Sequence, residues 1–387
     1  MHDRARTRSL TGRLLVAGLG LALLFPAAGA GEHPTLPIGS PAPAFRLKGV
    51  DGRIYTLGSF RRAKILVVIF TCNHCPTAQA YEERIKRLVA DYRPKGVAFV
   101  AINPKHPASV RLDEQGYTDL DDTFASMKTR AADRHFNFPY CDDGALEAAA
   151  RAYGPVATPH VFIFDDRRTL RFQGRIDDAE RESLVKSSDT RNALDALLRG
   201  GEPPVRETPV FGCSIKWADK AAGNLEWLAK VGSEPVTLES ADSAALRALC
   251  SGPSDRVRVV NVWATWCGPC VAEFDGLVET NLRFRQRDFA LVTIAAQYPD
   301  EREGVLRFLR SHHASMRNLI FGGTDKYAML RAIDTSWSGA LPYTLVLGTR
   351  GEVLYRETGA LDFLRLRRAI LPALDALTPW GGLSPTR

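Results

Sequence analysis

Two cysteine pairs in this chain have the spacing for reversible disulfide chemistry. Cys72 and Cys75 stand in Thr71-Cys72-Asn73-His74-Cys75-Pro76, and Cys267 and Cys270 in Trp266-Cys267-Gly268-Pro269-Cys270. Each pair follows an apolar run and precedes a helical pattern. Thiols three positions apart at a helix start can form and break a disulfide with little backbone movement. The unpaired N–H groups and positive dipole end of the helix favour the attacking thiolate. One such pair suggests thiol–disulfide exchange, and two suggest a tandem redox protein.

The elements around them repeat. Residues 64–70 form a continuous apolar run, the mark of a strand buried on both faces, and 76–91 turn helical with Tyr81, Ile85, Leu88 and Val89 on one stripe. A strand over 97–102, a loop-like insertion over 104–122, helical residues, two strands over 161–164 and 170–172, and a helix over 188–198 complete the first unit. The second repeats the order: strand 257–264, helix 269–284, strand 289–295, helix 302–312, a hairpin of 343–347 and 353–356, and helix 361–377. Strands alternating with helices predict an α/β sheet covered on both faces. A proline, Pro159 or Pro342, precedes the closing hairpin of each unit, where it cannot donate to a sheet. In the cis form it would hold the preceding backbone beside the cysteines, ready to pair with an extended substrate segment.

Composition narrows the classes. A chain of 387 residues with 45% hydrophobic and 25% charged residues fits two globular domains and a linker. The net charge of +7 is scattered rather than interleaved with aromatics, which argues against nucleic acid as a partner. Residues 1–30 read as a secretory signal peptide: a basic stretch to Arg13, an apolar core over 14–25, and Ala28-Gly29-Ala30 before the cleavage point. That core is too short to span a bilayer, so no stable membrane span is expected after cleavage, and the location is periplasmic or secreted. Of seven cysteines, Cys141, Cys213 and Cys250 lie outside the pairs, an odd remainder that does not describe a scaffold of structural bridges.

Both units resemble thioredoxin-fold domains. The fold class expected is therefore two tandem thioredoxin-like domains, each a central mixed sheet flanked by helices, over 36–200 and 236–378, joined by a linker over 201–235 with some structure of its own, including a short helical patch. The second, through Trp263-Ala264-Thr265-Trp266-Cys267-Gly268-Pro269-Cys270, is similar to TlpA-like thiol–disulfide oxidoreductases. The resemblance implies that Cys267 attacks and Cys270 resolves, and that Glu273 tunes proton transfer. Asn261 stands where cytosolic thioredoxins have a buried aspartate. The first unit, through Pro37-Ile38-Gly39-Ser40-Pro41-Ala42-Pro43-Ala44-Phe45 and Asp51-Gly52, resembles the redoxin group related to peroxiredoxins. Peroxiredoxins carry a threonine three residues before the reactive cysteine and a proline four residues earlier still. Counting back from Cys75 gives Cys72 and Val68 instead.

His74 occupies the position found in oxidising disulfide catalysts and would stabilise a thiolate, whereas Gly268-Pro269 is the dipeptide of reducing thioredoxin. The contrast implies electron flow from the second domain to the first, or a different partner for each domain. Pro159 and Pro342 would shape the substrate grooves, and Cys213 is a candidate resolving thiol. Cys141 and Cys250 read as structural, and His312-His313 as a solvated pair. The function expected is an exported thiol–disulfide oxidoreductase of the protein-disulfide reductase type. Cys267 or Cys72 would attack a partner disulfide, and Cys270 or Cys75 would resolve the mixed disulfide. The protein would act on protein thiols or disulfides, draw electrons from a membrane thiol donor, and need no cofactor beyond its cysteine pairs and no metal. Two alternatives stand beside it: a thiol-dependent peroxidase in the first domain, and a copper metallochaperone using Cys72 and Cys75 with His74 or His160.

Overall fold

The computed structural model describes residues 33–378, so the segment read as a signal peptide lies outside the described residues. In the first half, β1 (Arg46–Gly49), β2 (Ile54–Thr56), β3 (Ile65–Phe70), α1 (Pro76–Tyr92), β4 (Val97–Asn103), α2 (Phe124–Asp133), β5 (Tyr140–Asp142), α3 (Ala148–Tyr153), β6 (Ala157–Thr158), β7 (His160–Phe164), β8 (Leu170–Gly174) and α4 (Asp189–Leu198) follow in order. The short β9 (Cys213–Ser214) and α5 (Ala221–Gly232) lead to the second half. There β10 (Glu239–Ala241), α6 (Ser243–Ser251), β11 (Val257–Trp263), α7 (Gly268–Phe284), β12 (Phe289–Ala295), α8 (Arg302–Ser311), β13 (Arg317–Phe321), α9 (Lys326–Ile333), β14 (Tyr343–Leu347), β15 (Val353–Thr358) and α10 (Phe363–Leu377) complete the chain.

The two halves share one plan. The first sheet runs β2-β1-β5-β4-β3-β7-β8 and the second β10-β13-β12-β11-β14-β15. In each, the strand before the cysteine pair lies parallel to its successor and antiparallel to the first strand of the closing hairpin. That central position explains the unbroken apolar runs, because both faces of the strand are covered. On β3, Ile65, Val67 and Ile69 pack with Tyr81, Ile85 and Leu88 of α1, while Leu66, Val68 and Phe70 pack with Phe45, Leu47 and Tyr153 on the other face. On β11, Val257, Val259 and Trp263 meet Phe274 and Leu277 of α7, and Val260 and Val262 meet Leu246 and Met329. Period-two alternation thus divides each strand between two cores. Both cysteine helices are thereby fixed against the ends of rigid strands.

The expected linker, 201–235, is not a free connection. Gln173 exchanges backbone hydrogen bonds with Arg206 and Thr208, β9 pairs with β6, and Ile215 and Trp217 are buried in the first core. Residues 206–217 therefore belong to the first domain. Their apolar anchors are few and widely spaced, so the Gly and Pro around them dominate the pattern. The two halves also touch: Arg287 donates to the Gly116 carbonyl, and Arg367 and Arg368 of α10 reach Asp119 in the 104–122 loop.

Candidate active sites

In the second domain β11 delivers the chain to the start of α7. Cys267 is the N-cap residue; its sulfur lies 3.3 Å from the Cys270 backbone N–H, and the two cysteines are joined as a disulfide. Trp266 beside them is two-thirds exposed, whereas Cys270 is buried. An open groove adjoins the pair, lined by Trp266, Tyr298, Leu330, Trp337 and Leu341. The Leu341–Pro342 peptide is cis, the form a backbone-presenting loop requires.

Glu273 lies one turn beyond Cys270 and is buried. Its carboxylate accepts from the Leu361 N–H at 2.8 Å, and Asn261 Nδ2 lies 3.5 Å away while also donating to Thr344 Oγ1 at 2.9 Å. Burial raises the Glu273 pKa, and the Leu361 and Asn261 hydrogen bonds only partly oppose it. A carboxyl group raised in this way is suited to hold and release a proton near a buried thiol. The Asn261 replacement noted in the sequence therefore leaves a second ionisable group in place.

The first site differs in register. Here the N-cap of α1 is the second cysteine, Cys75, whose sulfur accepts the Ala78 N–H at 3.3 Å. Burial alone would raise the Cys75 pKa. Hydrogen bonds from the Cys213 and Cys72 thiols, the Lys105 charge and the Ala78 N–H reverse this and hold Cys75 well below the ordinary thiol value. Cys72, desolvated and donating to Cys75, is raised well above it. The thiolate thus sits on Cys75, where the sequence reading gave the attack to Cys72. The thiol hydrogen bonds are the larger causes; the helix start, which Pro76 sets by favouring the first helical turn, adds the Ala78 N–H.

His74 is buried, and its Nδ1 is paired with Asp122 at the end of the 104–122 loop. Asp122 also accepts the Asn73 N–H at 2.7 Å. Burial raises its pKa, but His74, the Asn73 N–H and Lys105 outweigh that and keep it below the usual carboxylate range. Cys72, His74 and Asp122 lie close enough to share an ion, but the carboxylate is already engaged by His74 and Asn73. His74 is therefore tied to Asp122, and the group that acts on Cys75 as a charge is Lys105. His160 is also buried, and desolvation brings its pKa down to about 3, so it stays neutral.

Thr158, the residue before Pro159, joins the parts. The Thr158–Pro159 peptide is cis. Thr158 Oγ1 lies 3.3 Å from Cys72 Sγ, and its carbonyl oxygen lies 3.4 Å from Cys75 Sγ. Cys213 packs against Cys72, Cys75 and Ala78. Sequence reasoning found the cysteines, His74 and the prolines but missed Lys105, Asp122 and Thr158. Lys105 and Asp122 sit in a loop with no periodicity, and only the acids there hinted at a partner. Cys141 and Cys250 lie in the two cores, each pushed up to about 12 by burial. His312 turns to Asp275 and His313 to the Gly232 carbonyl, so the two rings point to different partners.

Two mixed sheets with a cysteine pair at a helix N-terminus beside a cis-proline define a tandem of thioredoxin-fold domains. Residues 38–173 match the AhpC/TSA family and residues 250–366 the redoxin family, two tandem matches that each span about a third of the chain. Among curated proteins the chain is 28% identical over 120 residues to the thiol:disulfide interchange protein CycY of Rhizobium leguminosarum bv. viciae, covering 31% of this chain and 59% of that protein. It is 26% identical over 149 residues to the thiol:disulfide interchange protein DsbE of Yersinia pestis, covering 37% of this chain and 69% of that one. The chain thus spans somewhat less than two thirds of the length of CycY, the more similar of the two. A solved hypothetical protein from Sinorhizobium meliloti 1021 is 31% identical, covers 48% of this chain and 97% of its own, and superposes with a TM-score of 0.42.

Proposed function

We propose that this protein is a thiol–disulfide oxidoreductase that exchanges disulfides with protein partners and passes electrons between its two domains. The observation that carries the reading is the pair of cysteines at a helix N-terminus beside a cis-proline loop, present twice. The likeness of one region to thiol:disulfide interchange proteins supports it.

In the second domain a donor dithiol reduces the Cys267–Cys270 disulfide, giving up two electrons. Cys267 then attacks a partner disulfide as a thiolate, and one partner sulfur leaves. Cys270, its proton accepted through Glu273, attacks Cys267 and releases the reduced partner. The first domain runs the same exchange with Cys75 as its thiolate. Lys105 and the donated thiols favour its reduced form, which makes its disulfide the stronger oxidant and gives electrons a downhill path from Cys267/Cys270. Export rests on the 1–30 segment, and a membrane thiol donor would follow from that location. Among the described residues no helix is long and apolar enough to cross a membrane.

The test is the midpoint potential of each pair, read by equilibrating the protein across a thiol–disulfide buffer series and quantifying the alkylated peptides. Cys72/Cys75 is expected to titrate above Cys267/Cys270, each 30 mV corresponding to about 1.4 kcal/mol. Equal potentials would remove the relay. A first pair that forms no reversible disulfide would remove that domain from the exchange. The AhpC/TSA match favours a second reading for that half, a thiol peroxidase. Peroxide consumption abolished by Cys75→Ser would establish it.

A further inference from the structure

The groove beside the first cysteine pair is filled by the chain itself. An extended partner adds to a thioredoxin-type site by pairing with the backbone that precedes the cis-proline, a form of strand addition. In the first domain that backbone is β6, and β9 already lies antiparallel to it, with Ala157 opposite Ser214 and Thr158 opposite Cys213. In the second domain the corresponding residue, Leu341, lines an open groove instead.

The strap is built to lie this close. Gly212 has φ +139°, and a Cβ there would come within 2.0 Å of the Thr158 carbonyl oxygen. Lys105 Nζ donates to the Cys213 and Ser214 carbonyls, Ile215 and Trp217 anchor the strap beyond the groove, and Arg206 and Thr208 tie its start to β8. The side chain that the strap sets against Cys75 is the Cys213 thiol, which packs on Cys72, Cys75 and Ala78 and donates to the Cys75 sulfur.

We infer that Cys213 is a third redox-active thiol of the first domain, a tethered partner that takes Cys75 from Cys72 by disulfide exchange. The inference rests on the reading that Cys72 and Cys75 cycle through a disulfide. Starting from that disulfide, Cys213 attacks Cys75 Sγ. The Cys75–Cys213 bond forms, the Cys72–Cys75 bond breaks, and Cys72 leaves and takes up the proton that Cys213 gave. Two sulfurs stay oxidised throughout, so no outside oxidant enters the step. The charges favour it: Cys213 is raised chiefly by its hydrogen bond to Cys75, then by burial and by the Cys75 charge. Oxidation of Cys75 removes the first and last of these and leaves burial, which still disfavours the Cys213 thiolate, opposed by Lys105 and Lys216. Cys72, the thiol raised by burial, is the slower leaving group of the pair; what directs the attack to Cys75 is position, because the strap sets Cys213 against that sulfur. Exchange thus returns Cys72 as a free thiol while the strap stays locked in the groove.

The test uses the full chain carrying Cys72→Ser, oxidised with diamide and digested without reduction. The expected product is a Cys75–Cys213 linked peptide, lost on adding dithiothreitol, with Cys141 and Cys250 still alkylated and Cys267–Cys270 present as a control for folding. Cys75→Ser, treated in the same way, is expected to give no Cys72–Cys213 link. In parallel, Cys213→Ser should still form Cys72–Cys75. If it does, while Cys75 and Cys213 remain thiols in Cys72→Ser, the third-thiol inference is overturned and the parent reading survives. If Cys213→Ser forms no Cys72–Cys75 disulfide, both fall together.

Discussion

At the scale of single residues, the sulfur chemistry is set by groups that no motif contains. The Cys-X-X-Cys spacing and His74 were visible in the chain, but Asp122 and Lys105 reach the site only through folding of the 104–122 loop. Asp122 is held below the carboxylate range, so it stabilises the fold above the ordinary unfolded value of about 3.9. That contribution is lost as the pH falls through the lower folded value. Asp122→Asn should cost about 1–3 kcal/mol near neutral pH, because a buried charged hydrogen bond is weakened. In urea unfolding the gap to wild type should narrow as the pH drops below about 4. A gap independent of pH would mean that the carboxylate is not what His74 leans on. Glu273 has the opposite sign, since burial raises it. Glu273→Gln should slow single-turnover resolution by Cys270 by about 10²-fold and remove the pH step that the carboxyl imposes. An unchanged pH profile would leave Glu273 as packing only.

At the scale of elements, what was legible followed burial on both faces. The four central strands β3, β4, β11 and β12 read as largely apolar runs because both faces are covered, with Asn103, Arg258, Asn261 and Thr293 as buried exceptions, and their positions matched to within a residue or two. The outer strands β1, β2 and β10 were not legible, since each is only three or four residues long and partly exposed, too short for a pattern to show. The two-residue β9 carries no pattern of its own, and its existence comes from tertiary pairing with β6. That dependence makes it open to test. Gly212→Ala places a Cβ against the Thr158 carbonyl in a backbone region that L residues rarely adopt. The expected outcome is a strap displaced from the groove, with Cys75 alkylated several-fold faster than in wild type, at a stability cost of about 1–3 kcal/mol. A Cys75 alkylation rate equal to wild type would show that the strap does not cover the thiolate.

At the scale of the whole molecule, the loop that carries Asp122 is also the loop that receives the second domain. Arg287 is buried there. It donates to the Gly116 carbonyl at 3.0 Å, to Asp375 at 2.9 Å and to the Thr378 carbonyl at 2.7 Å, with its guanidinium 4.2 Å from the Tyr117 ring. Arg368 meets Asp119 from a half-exposed position, where such pairs contribute about 0–1 kcal/mol. The two arginines therefore separate surface charge from buried connection. Arg368→Ala should leave the calorimetric unfolding profile nearly unchanged. Arg287→Ala leaves the buried Gly116 carbonyl without its donor, whereas Asp375 and Thr378 are exposed and turn to water, so it should cost about 1–3 kcal/mol and split a shared endotherm into two. Because Gly116 and Asp122 lie on one loop, the same variant should also raise the alkylation rate of Cys75 in the other domain. If Arg287→Ala unfolds as wild type does, with the Cys75 rate unmoved, the domains share a chain and a surface but no coupling. Any electron transfer between them would then depend on encounter alone.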